Sequence, residues 1–441
     1  MSWAKSSCLA FADVALEVQG FHPRLNLEEG FPSQPRQGKL VYPDRQMSTG
    51  LKLRWCHDIR GIPASAWQAL QTERTSPFLE YEWLHSLEAS GCASRNTGWL
   101  PCHLLVESDG QLIAAAPLYL KSHSQGEFVF DQEWAAVAGQ LGERYYPKLI
   151  GMAPFTPATG YRILVHPDYS EAEVWPSMLA AIDRFCQDND ISVFSLLYVD
   201  LDWRAQLEAD GLTPRITHNY QWHNPGYRSY EDFLSQFNAN QRRNIKRERA
   251  AMEKSGIELK IYTGEEITPR LLSLMYDFYS NTCAQFWNWS KYLNRRFFEA
   301  LYPNYRQRLV LVAGERGSEV VGMSFCVRKG DRLFGRYWGC REEVKFLHFN
   351  VCYYEPIALA IREGIRNFDP GAGGSHKIRR GFPATPVYSY HRFYRPRLKQ
   401  VLIPYLNRVN PLMLAELENV NQNEVPFRED VLPSLSALTQ R

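Results

Sequence analysis

From Leu51 onward the apolar and polar positions fall into short blocks whose period keeps changing. "LKLRWCHDI" alternates as a half-buried strand does, whereas "PASAWQALQ" and "YEWLHSLEAS" space their apolar residues as helices. "PCHLLVESDGQLIAAAPLYLKS" reads as a hairpin, with Asp109-Gly110 supplying the positive-φ turn. A third strand is expected at "GEFVF" and a helix at "EWAAVAGQLG". An irregular "RYYPKLIGMAPFTPATGYRILV", a helix "EVWPSMLAAIDRFCQDN" and a strand "ISVFSLLYV" follow.

The same order then recurs. A long helix is expected over "YEDFLSQFNANQRRNIKRERAAMEKS", then a strand "GIELKIYTG", helices at 269–286 and 291–303, and a hairpin "RLVLVAGERGSEVVGMSFCVRKG" turning at Arg316-Gly317-Ser318. "DRLFGRYWG" and a helical "EPIALAIREGIRNF" complete the pass. Pro356 has no amide hydrogen, so it belongs in the first turn of that helix or at a kink. Two passes through one element order predict a duplicated α/β module, and 441 residues exceed one ordinary core. The units are expected at 51–225 and 226–400, after a loose arm at 1–50 and before a C-terminal tail at 401–441.

Composition adds little to this picture. An apolar fraction of 45% with 22% charged residues is that of a folded chain, and a net charge of +2 leaves any electrostatic preference to local patches. The nine cysteines are scattered, odd in number and never at metal-ligand spacing, which predicts no metal site and reduced thiols in the cytoplasm. No apolar run is long enough to span a bilayer. Asp13, Glu17, Glu28 and Glu29 argue against a transit or secretory peptide at the N-terminus.

The densest candidate chemistry is "FDPGAGGSHKIRRGF", residues 368–382. It lacks the Gly-Lys-Ser/Thr of a P-loop, and it follows a helix rather than opening one after a strand, as a dinucleotide fingerprint would. Two readings stay open: a glycine-rich backbone that approaches an anion beside Lys377, Arg379 and Arg380, or a tight turn with solvated charges. In "GRYWG", Arg336 can bind an anion, while Tyr337 and Trp338 face opposite sides of a strand, so one ring can line a pocket and the other pack in the core.

Between Asn238 and Lys254 six basic residues meet two acidic ones. Arg242, Arg243, Lys246 and Arg247 could contact tRNA phosphates or an anionic precursor, or form a solvated helix face. Tyr145, Tyr146, Lys148 and Phe155 form an aromatic and cationic group that lines a cleft between the units or closes a loop over the core.

Longer strings carry a resemblance. "SPFLEYEWLHSLEASG", "TGWLPCHLLV", "PLYLKSHSQGEFVFDQEWA", "RYYPKLIGMAPFTPATGYRIL", "QRRNIKRERAAM", "LFGRYWG", "LHFNVCYYEPI" and "GAGGSHKIRRGF" run in order from about residue 53 to about 395. Together they resemble the FemAB-like family of peptidoglycan biosynthesis or recognition proteins, within the GNAT acyltransferase superfamily. The resemblance implies an α/β (α+β) fold of two tandem GNAT-like units, each a mixed, mostly antiparallel sheet flanked by helices. It also implies transfer of an acyl or aminoacyl group to an amine, with the active site in the second unit.

Such transfer needs a base for the attacking ammonium and donors for the oxyanion. His376 is the base expected from residue type, with Asp369 orienting it or serving in its place. The expected substrate-binding set is Arg336, Tyr337, Trp338, His348, Asn350, Lys377 and Arg380 with Tyr145, Tyr146, Lys148 and Phe155. Two positions depart from the family pattern: Asn350 and Ser375 stand where it commonly has glutamates. A non-catalytic ligand- or RNA-binding protein is therefore the alternative.

No permanently bound cofactor is expected. The donor is aminoacyl-tRNA or acyl-CoA, and the turn "GCREEVKF", with one glycine and two glutamates, is poorly suited to a CoA pyrophosphate. Expected partners are a small-molecule or cell-wall precursor substrate and tRNA, with neither DNA nor a transmembrane segment.

Overall fold

The computed structural model describes residues 40, 45–46, 50–285, 291–428 and 431. The arm expected at 1–50 thus lies almost wholly outside the described residues, as do 432–441 of the expected tail.

Three sheets, of five, six and six strands, organise the chain. The first is antiparallel and holds the predicted hairpin His103–Ser108/Gln111–Ala116, turning on Asp109 (φ 50°) and Gly110 (φ 81°). Pro117 follows, with no amide to continue the ladder, and the chain passes into the second sheet as Leu118–Lys121. The strand expected at "GEFVF" is absent. Gly126, Phe128 and Phe130 there have φ of 81°, 60° and 52°, which no strand adopts.

The second sheet runs in the order Trp99–Pro101, Leu118–Lys121, Lys148–Gly151, Val193–Leu196, Ala384–Phe393 and Thr213–Tyr220. Lys148–Gly151 and Val193–Leu196 are parallel, joined by a crossover through helix Glu171–Asp188. The third sheet repeats the scheme. Glu258–Thr263, Leu309–Arg316, Glu319–Lys329 and Arg332–Cys340 form an antiparallel meander, and Arg332–Cys340 is parallel to Asn367–Asp369. Each half thus joins antiparallel strands to one helical crossover, and the chain is an α/β protein of two tandem GNAT-like units.

One strand is exchanged. Ala384–Phe393, from the C-terminal half, lies between Val193–Leu196 and Thr213–Tyr220 of the N-terminal half. Thr213–Tyr220 in turn leads directly into Trp222–His223 of the third sheet. A boundary at residue 225 therefore does not separate the sheets.

Three helices differ from the pattern reading. The long helix from Tyr230 is two, Tyr230–Ser235 and Ala239–Lys254, because Asn238 is extended and caps the second by accepting from the Gln241 amide. The helix around Pro356 starts earlier, at Leu347, and passes through a π-turn at Asn350–Tyr354 before Glu355–Arg362. In that turn the Val351 carbonyl would bond the amide that Pro356 lacks, and Ser324 Oγ donates to it instead at 2.5 Å. Much of the expected tail is the helix Pro396–Asn423, which buries Leu398, Leu402, Leu406 and Leu417.

Aromatic residues and one carboxylate join the halves. Phe78 packs edge-on to Phe334 at 5.2 Å and Trp83 to Phe297 at 5.1 Å. Glu80 accepts Arg308 Nε and Nη2 at 3.0 and 2.9 Å and pairs with Lys329 at 2.8 Å. No helix among the described residues is long and apolar enough to cross a membrane.

Candidate functional site

Along Arg332–Cys340 the pairing register slips: Phe325 faces Tyr337 and Cys326 faces Gly335, which leaves Arg336 as the extra residue of a bulge. Bulges re-aim side chains. Arg336 reaches Asp369, at the end of Asn367–Asp369, with Nη2 2.9 Å from Oδ2 and the two side chains 2% and 4% exposed. Asp369 Oδ1 accepts from the Gly371 amide at 2.8 Å and from Asn219 Nδ2 at 3.4 Å. Tyr337 packs in the core 5.3 Å from Tyr279, and Trp338, its strand neighbour, lies 4.6 Å from the His348 ring.

The glycine loop follows a strand, not a helix as its sequence context suggested, because Asn367–Asp369 pairs with Arg332–Cys340 and Trp222–His223. It leads into a 3-10 turn at Ser375–Arg380. Gly371 has φ 92°, and a Cβ there would sit 3.0 Å from the Gly335 carbonyl oxygen, so both backbone and space require glycine.

Lys377 is buried beneath this loop, and its Nζ donates to the carbonyls of Gly371 at 2.6 Å and Ala372 at 3.2 Å. Burial pushes its pKa down to about 7, against the pull of Asp369. A protonated Lys377 therefore costs the fold stability below pH of about 7, and that cost is relieved as pH rises toward 10.5, where unfolded chains lose the proton.

His376 does not titrate near neutrality, as residue type suggested. Burial, with His348, Lys377 and Arg380 nearby, drives its pKa down to about 2, so the ring is neutral. Its Nε2 lies 2.9 Å from the Tyr353 hydroxyl.

Arg380 is structural in its contacts. It donates to the His376 carbonyl at 2.8 Å and to Glu248 Oε2 at 3.0 Å, and its guanidinium lies 3.3 Å from the centre of the Phe349 ring. Tyr354 also donates to Glu248. Asn350 is fully buried, and its Nδ2 donates to the carbonyls of Glu248 and Phe346, both at 3.0 Å.

Glu248 was missed by sequence reasoning, and a signal existed. It lies on the buried stripe Gln241, Ile245, Glu248, Met252 of the basic helix, where a carboxylate needs a partner. On the outer face Lys246 pairs with Glu231 at 3.0 Å, and Arg242 donates to the Phe237 carbonyl. Arg243 and Arg247 are exposed.

The aromatic and cationic group of the first unit is packed inward. Lys148 is 1% exposed and pairs with Asp131 and, at 2.6 Å, with Glu127, while burial, opposed by Lys148, pushes Glu127 up to about 7. Tyr145 donates to Asp131, Tyr146 shares a hydrogen bond with Ser124, and Phe155 stacks on Tyr292 at 5.1 Å. Lys148 is thus neutralised internally and separate from the glycine loop's contacts. Glu127 and Asp131, its partners, carried no motif that would have marked them.

Residues 58–429 match the FemAB-like family, described as peptidoglycan biosynthesis/recognition. No curated protein matches the sequence significantly. Among solved structures, FemX is 12% identical, with a TM-score of 0.46, over 79% of this chain and 99% of its own. L-PGS from Bacillus licheniformis is 10% identical, TM-score 0.43, over 80% and 96%. A tandem GNAT protein from the clavulanic acid biosynthesis pathway is 10% identical, TM-score 0.39, over 78% and 99%.

Proposed function

The chain belongs to the FemAB-like family, and on that premise we propose that it is an N-acyltransferase moving an acyl or aminoacyl group onto an amine of a small molecule or cell-wall precursor. The supporting observation is Lys377, a buried amine with a depressed pKa on a glycine loop braced by the Arg336–Asp369 pair. Attack on an acyl carbon places negative charge on the carbonyl oxygen, and a cation shielded from water stabilises that charge more than one in bulk solvent.

In this reading Lys377 is that cation. Arg336 and Asp369 set the loop, and Asp369, with His376 held neutral, takes the acceptor's proton. The chemistry lies in the unit expected at 226–400, and the protein works in the cytoplasm.

Aminoacyl-tRNA is the proposed donor. Exposed Arg243 and Arg247 offer phosphate contacts, and the turn before the Leu347 helix carries Glu342 and Glu343, which oppose a pyrophosphate. Purified protein incubated with aminoacyl-tRNA or with acyl-CoA and a pool of amine acceptors should yield an acylated acceptor detectable by mass. No product with either donor overturns the proposal.

The pH profile tests the role of Lys377. Transfer should fall as pH rises through about 7, because the ammonium is lost there, and Lys377→Met should lower the rate and abolish that limb. A limb unchanged in the variant would exclude Lys377. Reversing Arg243 and Arg247 to Glu should remove salt-sensitive tRNA retention without lowering the melting temperature; equal retention would exclude that helix.

A second reading, a ligand-binding protein without turnover, is favoured by one observation. Lys377 and Arg380 both use donors on loop carbonyls. Ligand capture with no transfer would select it.

A further inference from the structure

We propose that the outer face of the C-terminal helix Pro396–Asn423 docks on an anionic lipid surface. Among the described residues the exposed large hydrophobics are Phe130, Val401, Tyr405 and Leu412, so three of the four lie on this one helix. Val401, Tyr405 and Leu412 are 43%, 39% and 64% exposed. Their spacing of four and seven residues aligns them on one face, opposite the buried Leu398, Leu402, Leu406 and Leu417. A lone exposed leucine needs no explanation, but an aligned stripe on a helix that already has a buried face does.

Charge selects the occupant. Arg397 and Arg408 continue the same stripe, Lys399 is exposed beside it, and no acidic residue occurs between Pro396 and Glu416. Basic side chains flanking aliphatic and tyrosine side chains match a headgroup layer, where Arg and Lys meet phosphates and the apolar side chains reach the acyl boundary.

A second copy of the chain fits less well, because a self-pairing helix would bring like charges together. Three apolar side chains also fall short of the area a stable dimer buries. An RNA surface would leave Val401 and Leu412 without a role. Pro404 and Pro411 are exposed on the same helix and leave backbone carbonyls without intrahelical donors, which fixes the depth at the hydrated headgroups and not the hydrocarbon.

Co-sedimentation of the full chain with vesicles tests the proposal. Binding to phosphatidylcholine containing phosphatidylglycerol should exceed binding to phosphatidylcholine alone and weaken with salt. Since each surface Lys or Arg contributes about a fivefold preference, replacing Arg397, Lys399 and Arg408 with Gln should weaken partition by roughly a hundredfold. Val401→Ser with Leu412→Ser should also release the protein, and neither variant should lower the melting temperature, since all five side chains are exposed. Equal partition to both vesicle types overturns the proposal, as does binding unaffected by either variant. So does a dimer in sedimentation that Leu412→Ser dissociates, or tRNA retention that depends on Arg397 and Arg408.

Discussion

Glu80→Ala is expected to destabilise the whole chain by roughly 3–5 kcal/mol, the range for removing one partner of a buried ion pair. Glu80 is 4% exposed at the side chain and Lys329 3%, so truncation leaves an ammonium in the interior with only the Thr72 carbonyl at 2.9 Å as partner. Arg308 loses its two-pronged contact at the same time but is 39% exposed and can turn to water.

The loss should itself depend on pH. Burial already lowers the Lys329 pKa, with Glu80 opposing, and removing Glu80 lowers it further. The unfolded chain then binds more protons than the folded one at alkaline pH, so the variant should regain stability as pH rises toward 10.5. Urea unfolding of both proteins across pH measures this. A deficit below about 1 kcal/mol would assign Glu80 to the class of surface pairs.

Arg380→Ala carries an expected loss of similar size, about 3–5 kcal/mol. It strands Glu248, which is 10% exposed, and leaves the His376 carbonyl without its donor. The double variant Arg380→Ala with Glu248→Gln should recover part of that loss, because no buried charge remains unpaired. Double-mutant analysis reads the coupling directly. Unchanged stability combined with weakened ligand binding would reverse the assignment and make Arg380 a ligand contact. The physical distinction is where the guanidinium's donors go, and here a carbonyl and a carboxylate of the same chain take them.

Most of the element order was legible because it rests on local chemistry. Asp109-Gly110 and Arg316-Gly317-Ser318 form their turns where positive φ is needed, with Gly317 at 63°. The alternation of Tyr337 and Trp338 across Arg332–Cys340 follows from strand geometry alone. "GEFVF" failed because its β-forming residues serve a tertiary purpose: Glu127 turns inward to Lys148, and the flanking phenylalanines adopt positive φ to allow it.

The electrostatics of the candidate site were not legible. His376, Lys377 and Arg380 are common surface residue types, and only the packing of Phe349, Tyr353 and Tyr354 around them makes one neutral, one weakly basic and one an internal brace. Glu248 was hidden by its company of arginines, although its place on a buried stripe set it apart.

The exchanged strand has a consequence for synthesis. Ser195 and His391 lie on paired strands yet are 196 residues apart. A ribosome adding about 5–20 residues per second needs roughly ten to forty seconds to cover that distance. For that interval the nascent N-terminal unit holds Val193–Leu196 and Thr213–Tyr220 with a gap between them, and their unpaired amides and carbonyls are open to any other extended chain. Independent maturation of the first module is therefore ruled out by connectivity. A transcript truncated before Ala384 would yield a protein with an unfilled slot, a substrate for chaperones and proteases and not a smaller working version of the parent.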